Sequence, residues 1–357
     1  MSASPAVVIT TRLPPLICGI GAYSWLAHKH RPNESLPAEF LVMEGAADSR
    51  AQLGYEAITD FNGDPEALTT ALRRAGAASI ILHYAGRAYQ RFGCPTWLPG
   101  ALRKWKTEFP GGRLTVFFHE VPGETPRLSR HFLLGKINSR IIRQLSALAD
   151  VVVTNTEHHA DVLRKLSGRD DVHRLPVGSN IEVANSPRET RVETEFMIFG
   201  LPFGRWQTLQ SFGPEIRRWR ESGVLTKLHL VGPDDDKLAT EGNSMLEDLS
   251  DIVVRHGMLP EFEVSRWLAH AWFALTNVSV ATWSKSGAFM ACAAHGCAVV
   301  IKQERTEIPL CYAVAAKEVG HVSAAEINAR TAALRNWYHE NADWSVTARR
   351  LSDLAST

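Results

Sequence analysis

The sequence predicts an α/β protein made of two doubly wound domains, each a parallel sheet with helices on both faces. Three observations carry this. The chain has 357 residues, which at about 150 residues per domain gives two. Short Val- and Ile-rich runs alternate with helical patterns in both halves, the grammar of βαβ units. Between the halves, at Asn185–Thr194, Ser, Pro, Arg, Glu and Thr replace the apolar runs, as in a linker. The hydrophobic share of 45% and charged share of 22% exclude disorder or fibrous structure for the whole.

The elements follow in order. In the first half, strands are expected at Ala6–Thr10, Glu39–Met43, Ser79–Tyr84, Arg113–Phe118 and Val151–Thr154. Their continuous apolar character suits strands buried on both faces. Helices are expected at Pro65–Ala75, Leu98–Thr107, Arg127–Ala149 and Glu157–Leu166. The second half repeats the pattern, with strands at Glu195–Phe199, Lys227–Val231, Ile252–Arg255, Phe273–Leu275 and Ala298–Ile301. Its helices are expected at Arg205–Glu221, Glu261–His270 and Ser286–His295, and a single long one over Ala324–Leu354. Two open sheets facing each other would bind ligand in the cleft beyond their carboxyl ends.

The N-terminal MSASPAVVITTRLPP has neither a basic n-region nor an apolar h-region, so no secretory signal is expected. No apolar stretch approaches the roughly 18 residues of a spanning helix; the longest, Ala288–Ile301, is broken by His295 and Gly296. The five cysteines, Cys18, Cys94, Cys292, Cys297 and Cys311, form no C-x-x-C and read as buried free thiols in a reducing cytoplasm.

Four motifs stand at strand ends. Gly19-Ile20-Gly21 follows the first strand, where glycines let backbone amides approach a phosphate or sugar; the alternative is a tight turn. As a dinucleotide fingerprint it fails, because Ser24 stands where the third glycine is required. His119-Glu120 ends the strand Arg113–Phe118, placing an imidazole and a carboxylate where they can position a hydroxyl; the alternative is a solvated loop start. Gly200-Leu201-Pro202-Phe203-Gly204-Arg205 follows the first strand of the second half, with Arg205 a candidate for neutralising a diphosphate or, alternatively, a surface ion pair. Ser284-Lys285-Ser286-Gly287 precedes an apolar helix. Hydroxyls, an ammonium and a helix N-terminus suit an anionic diphosphate, and plain capping is the alternative.

The net charge of +1 hides an asymmetry. Residues 87–143 hold eleven Lys and Arg against three acids, so the rest of the chain is acidic on balance. Within 97–143, Trp97, Leu98, Leu102 and Trp105 interleave with Arg103, Lys104 and Lys106. That pattern fits either an anionic membrane surface or a buried apolar face with a solvated basic one. No nucleic-acid module signature appears.

Together these motifs resemble retaining GT-B-fold glycosyltransferases of the family-four type, through most of the chain. The likeness adds Ala149–Glu157, Pro176–Ile181, Gly257 with Glu261–Ala271, and the helix ending His295-Gly296-Cys297. It implies residues 1–185 as an acceptor domain, 195–325 as a nucleotide-sugar donor domain, and 326–357 as a helix crossing back. It implies transfer of a sugar from a nucleotide diphosphate to an acceptor hydroxyl, with retention and with neither metal nor cofactor. Expected partners are a nucleotide sugar and a glycan, lipid-linked or small-molecule acceptor, with peripheral membrane contact through 97–143 and no nucleic acid. By carry-over, His119 and Glu120 are catalytic, and Gly19, Gly21, Gly200, Arg205, Ser284, Lys285, Ser286 and Gly287 bind the donor. The chain departs from the family at an acidic pair with seven residues between its members: Trp283 and Ala291 stand there. That departure keeps a catalytically degenerate binding protein as the alternative. A nicotinamide-dependent dehydrogenase is opposed by Ser24.

Overall fold

Two parallel sheets organise the chain in a computed structural model, which describes residues 6–32, 38–123, 130–184, 191–302 and 305–356. The first unit takes in the chain up to Pro176 together with everything from Trp344 onward; the second is Val177–Asp343. The boundary therefore falls ahead of the expected linker, of which residues 185–190 lie outside the described ones.

The first unit runs β1 (Ala6–Thr10), α1 (Gly19–Lys29), β2 (Ala38–Val42), α2 (Ala46–Leu53), β3 (Ile58–Asp60), α3 (Pro65–Ala75) and β4 (Ser79–Tyr84). It continues through α4 (Gly86–Tyr89), α5 (Leu98–Glu108), β5 (Arg113–Phe118), α6 (Arg130–Leu148), β6 (Val151–Thr154), α7 (Glu157–Ser167) and β7 (Val172–Arg174). Local chemistry explains the helix limits. The Asp64 side chain accepts the Glu66 N–H, Pro65 opens α3, and Gly76 closes it in the left-handed conformation at φ 56°. Thr156 caps α7 by accepting the His159 N–H, and Gly168 ends it at φ 72°. The start of the expected helix at residues 127–129 lies outside the described residues.

The seven strands are parallel in the order β3-β2-β1-β4-β5-β6-β7. Alternation sends Val7, Ile9, Ile80, Leu82, Leu114 and Val116 into one core with Leu68, Leu72, Leu102 and Trp105. Val8, Phe40 and Val42 turn to the other face, with Trp25 of α1 packed against them.

The second unit runs β8 (Val192–Phe199), α8 (Pro202–Glu221), β9 (Lys227–Val231), α9 (Asp236–Met245), β10 (Val253–Gly257), α10 (Glu261–His270) and β11 (Ala271–Leu275). It ends with α11 (Gly287–His295), β12 (Ala298–Ile301), β13 (Val314–Ala315) and α12 (Ala324–Asn341). Its six strands are parallel in the order β10-β9-β8-β11-β12-β13. From Phe289 to His295 every residue of α11 is buried, which accounts for its uninterrupted apolar sequence.

The long helix expected over Ala324–Leu354 is two helices. The amides of Ala342 and Asp343 both donate to the Tyr338 carbonyl, which closes α12 at Asn341. A new helix, α13 (Trp344–Ser356), then returns the chain to the first unit. There Trp344, Ala348, Leu351 and Ala355 are buried where α13 packs on α1, β4 and β5.

Candidate functional site

Open parallel sheets bind ligands beyond the strand carboxyl ends, where the strand order reverses. That reversal lies between β1 and β4 in the first unit and between β8 and β11 in the second. The residues expected from the sequence follow strands at or beside these two points.

In the first unit, Cys18 is the N-cap of α1. Its Sγ accepts the Gly21 N–H at 3.5 Å and lies 3.0 Å from Thr11 Oγ1. The two glycines behave differently. A β-carbon on Gly19 would meet nothing within 4 Å, whereas one on Gly21 would overlap the Arg12 carbonyl oxygen. Gly19 keeps an open approach; Gly21 serves close backbone packing.

His119 leaves β5 with its backbone N–H donating to the Tyr84 carbonyl at 2.9 Å. Its ring stacks on Phe117 at 4.5 Å and meets the edge of Tyr23 at 5.1 Å. Its Nε2 lies 2.9 Å from Nδ1 of His83, a β4 residue 1% exposed. The neighbouring Asn155 side chain partly offsets the loss of the protonated form of His119. Burial holds the His83 pKa down at about 3, and burial followed by the neighbouring His83 holds His119 well below the usual imidazole value. Both rings are therefore neutral near pH 7, each with a single N–H.

One proton lies between His83 Nδ1 and His119 Nε2, on either ring. Asn155 Nδ2 donates to the Leu175 carbonyl at 2.9 Å. Glu120, next along, is exposed. His83 and Asn155 were hidden in the sequence because each sits within or just after a run that reads as buried strand.

In the second unit, Gly200 follows β8 at φ 135° and Gly232 follows β9 at φ 131°. A β-carbon on Gly232 would strike the Gly200 carbonyl and lie 3.3 Å from Arg205 Nε. Arg205 is thereby enclosed. It is 1% exposed, donates to the Pro233 carbonyl, and pairs with Asp234 at 2.9 Å. Of the two readings offered for Arg205, the structure shows an ion pair, buried rather than at the surface, because the turn after β9 supplies both a carbonyl and a carboxylate. Asp234, in the run Pro233-Asp234-Asp235-Asp236, was the missed signal.

At the start of α11 the Ser286 hydroxyl accepts the Phe289 N–H at 3.2 Å and so caps the helix. Ser284 is buried, its carbonyl accepting the Val177 N–H at 2.9 Å. Lys285 is exposed and forms no ion pair among the described residues. The first amides of the helix, at Gly287 and Ala288, have no intrahelical acceptor. The Asn180 side-chain oxygen lies 3.3 Å from where a β-carbon of Gly287 would stand. This end of α11 joins a free ammonium to unpaired amides, a setting for an anion. Trp283 meanwhile donates its indole N–H to Glu307 at 2.7 Å and meets Trp337 edge-on at 5.3 Å, while Ala291 is wholly buried.

The basic segment divides by face. Leu98, Leu102 and Trp105 of α5 are buried, while Arg103 and Lys104 are exposed. Phe92 and Leu133 are also exposed, at 63% and 65%. Among the described residues no helix is long and apolar enough to cross a membrane, and no group of three or more His, Cys, Asp or Glu is arranged to hold a metal. All five cysteines are free thiols.

No family model matches the chain, and no curated protein matches it in sequence. Solved structures do match in fold. HepE from Anabaena, determined with UDP and glucose, has a TM-score of 0.67 at 12% identity, covering 99% of this chain and 100% of its own. A glycosyltransferase from Rickettsia africae has a TM-score of 0.70 at 10% identity, covering 99% and 98%. Sucrose-phosphate synthase from Thermosynechococcus elongatus has a TM-score of 0.64 at 14% identity, again covering 99% and 98%. Identities this low speak for architecture alone, and the architecture is that of GT-B proteins: two Rossmann-like units, each with its order of strands reversing beside a glycine turn.

Proposed function

We propose that the chain is a glycosyltransferase that moves a sugar from a nucleotide diphosphate to an acceptor hydroxyl, with retention and without a metal ion. The observation that carries this reading is the start of α11, where Lys285 and two unpaired amides stand beside the second unit's strand reversal. The fold is shared with HepE, whose structure holds UDP and glucose.

In this reading the bond between the sugar's anomeric carbon and the donor phosphate oxygen breaks. The negative charge that develops on the diphosphate is met by Lys285 and the α11 dipole. The acceptor oxygen bonds to the same face of the sugar, and its proton passes to the departing phosphate. His119, with its Nε2 engaged by His83, fits a positioning group better than a general base, and Gly19 leaves the approach open. Glu120 is the exposed carboxylate available to a sugar hydroxyl. The acceptor is a glycan, a lipid-linked sugar or a small molecule. Exposed Leu133 among basic side chains supports docking of the segment 97–143 on an anionic membrane from the cytoplasmic side.

The test is a panel of UDP-, GDP- and ADP-sugars with candidate acceptors, with and without EDTA. Acceptor-dependent nucleotide release that survives EDTA is expected. A second reading, binding without turnover, is favoured by Trp283 and Ala291 at the acidic positions; tight nucleotide binding with no release from any donor would establish it. Sedimentation with phosphatidylserine vesicles tests the membrane contact, and no binding at low salt would dismiss it.

A further inference from the structure

One carboxylate of the second unit is held by the turn that leads into α11. Trp283 opens that turn, and its carbonyl accepts the N–H of Ser286, the N-cap of α11, at 3.0 Å. Its ring packs on the core of the unit beside Phe289 and Trp337. From this position the indole N–H donates to Glu307 Oε1 at 2.7 Å. Trp283 lies between β11 and α11, at the carboxyl end of the sheet, so Glu307, in the connection after β12, is at that end too. The Glu307 carbonyl accepts the Cys311 N–H at 2.9 Å, and the neighbouring Leu310 is fully buried, which roots the connection here.

Glu307 forms no ion pair among the described residues. Arg305, close by in sequence, is engaged by Glu318 at 2.6 Å and by the Ala313 carbonyl at 2.7 Å. Lys285, two residues beyond Trp283, is exposed and does not pair with it. The group that orients Glu307 is therefore neutral. An indole only donates, so it fixes the carboxylate and leaves its charge in place. A carboxylate offers about four acceptor positions on its two oxygens, and the indole takes one. Glu307 is half-buried, as is Trp283. A positioned acceptor with spare capacity thus stands beside the turn that carries the ammonium of Lys285. The partner it suits is a hydroxyl. An aromatic ring next to a carboxylate matches a sugar, which has an apolar C–H face and a hydroxyl edge.

We propose that Glu307 accepts hydroxyl hydrogen bonds from the sugar of the nucleotide donor, on the ribose or on the transferred unit, and that Trp283 is its positioning residue. The inference rests on the transferase reading above and deepens it. Lys285 and the first amides of α11 meet the diphosphate, and Glu307 meets hydroxyls of the same molecule. The two charges cannot exchange these tasks: a carboxylate repels phosphate, and an ammonium cannot accept from a hydroxyl. Trp283 stands where the resemblance puts an acid. In this chain the carboxylate arrives from a different connection, and the tryptophan holds it there.

The experiment is calorimetric titration of the full chain with UDP-glucose, UDP and 2′,3′-dideoxyuridine diphosphate, with the guanosine and adenosine series beside them; the series that binds is the one read. Glu307→Gln keeps the size of the side chain and an accepting oxygen. It should weaken the nucleotide sugar about tenfold or more, because a charge-assisted bond is lost, and leave the dideoxy nucleotide unchanged. An equal loss for the plain diphosphate places the contact on the ribose, and an unchanged plain diphosphate places it on the transferred sugar. Trp283→Phe keeps an aromatic ring without the N–H and should weaken the nucleotide sugar about threefold. In the Glu307→Gln background it should add nothing, since it acts only through Glu307. Lys285→Ala should weaken all three ligands alike. Unchanged binding of the nucleotide sugar in Glu307→Gln would overturn the proposal. So would equal losses for all three ligands, which would make Glu307 a structural group. If no nucleotide of any series binds the parent chain, the transferase reading falls and this one with it. Nucleotides that bind the parent and Glu307→Gln alike overturn this one alone.

Discussion

Replacing Gly21 by alanine tests whether the glycines after β1 serve packing or ligand. In the interior of a helix, alanine is favoured over glycine by about 1 kcal/mol, so propensity alone predicts stabilisation. The structure predicts the opposite. The new β-carbon would overlap the Arg12 carbonyl oxygen and stand 2.6 Å from the carbonyl carbon. Carbon pairs settle at about 3.5–4.0 Å, so roughly 1 Å or more must open between α1 and the Arg12 backbone. Opening that gap strains the buried Thr10–Ser24 hydroxyl pair at 2.8 Å and the Tyr23 ring against Phe117. Overpacking into backbone that cannot give costs about 3 kcal/mol or more, and here it outweighs propensity. Gly19→Ala, two residues away with nothing within 4 Å, is the control and should change stability by less than about 0.5 kcal/mol. Urea denaturation, with hydrogen exchange of α1 to localise the effect, measures both. A Gly21→Ala protein as stable as the parent would refute the reasoning and return Gly21 to a ligand role.

Three further outcomes follow from the geometry. Lys285→Ala should weaken nucleoside-diphosphate binding about tenfold, read by titration, since one charge-assisted contact is lost; unchanged affinity would remove Lys285 from the phosphate site. Asp234→Asn should destabilise the second unit by about 1–3 kcal/mol in urea, less than for a fully buried pair because Asp234 is a third exposed; no change would mean that Arg205 is satisfied without it. For pH, His28 is held at about 4 and His83 at about 3, both by burial, against a usual value near 6.5. Their neutral forms are favoured in the fold, so the stabilisation is complete above about pH 6.5 and is lost as pH falls towards those values. Stability should therefore fall on acidification by about 1.4 kcal/mol per pH unit for each such histidine. His83→Gln should show a slope shallower by one proton between pH 6 and 4, and an unchanged slope would mean that His83 titrates normally.

The alternation of apolar runs and helical patterns was enough to read the fold class, because buried parallel strands and capped helices announce themselves locally. Ala6–Thr10, Ser79–Tyr84 and Pro65–Ala75 stand where the periodicity and the Asp64 and Gly76 punctuation put them. Short edge strands such as Ile58–Asp60 and Val172–Arg174 were not legible, since three residues carry too little pattern and gain their pairing from neighbours. The break at Ala342 was missed for a similar reason: Asn341-Ala342-Asp343 is mildly unfavourable in a helix, and only the closing bonds to Tyr338 decide it. At the candidate site, positions were legible and partners were not. The sequence put Arg205 after β8, but the carboxylate that occupies it comes from Asp234, 29 residues later. Likewise His119 stood out at a strand end, whereas the histidine beside it belongs to a strand 36 residues earlier. Contacts of this kind depend on strand order, which a linear pattern does not contain.

Because α13 completes the first unit after the entire second unit has been threaded, that first unit is discontinuous in the chain. During synthesis its sheet can form early, but the face beneath Trp344, Ala348 and Leu351 must wait for residues 177–343 to be made. At about 5–20 residues per second that is a delay on the order of ten seconds. Throughout it, the strand face that α13 later covers is open to solvent and to other chains. A chain stopped before Trp344 should therefore expose an apolar surface that a chaperone would bind and a protease would find. The closing helix makes completion of the last residues a condition for burial of the first.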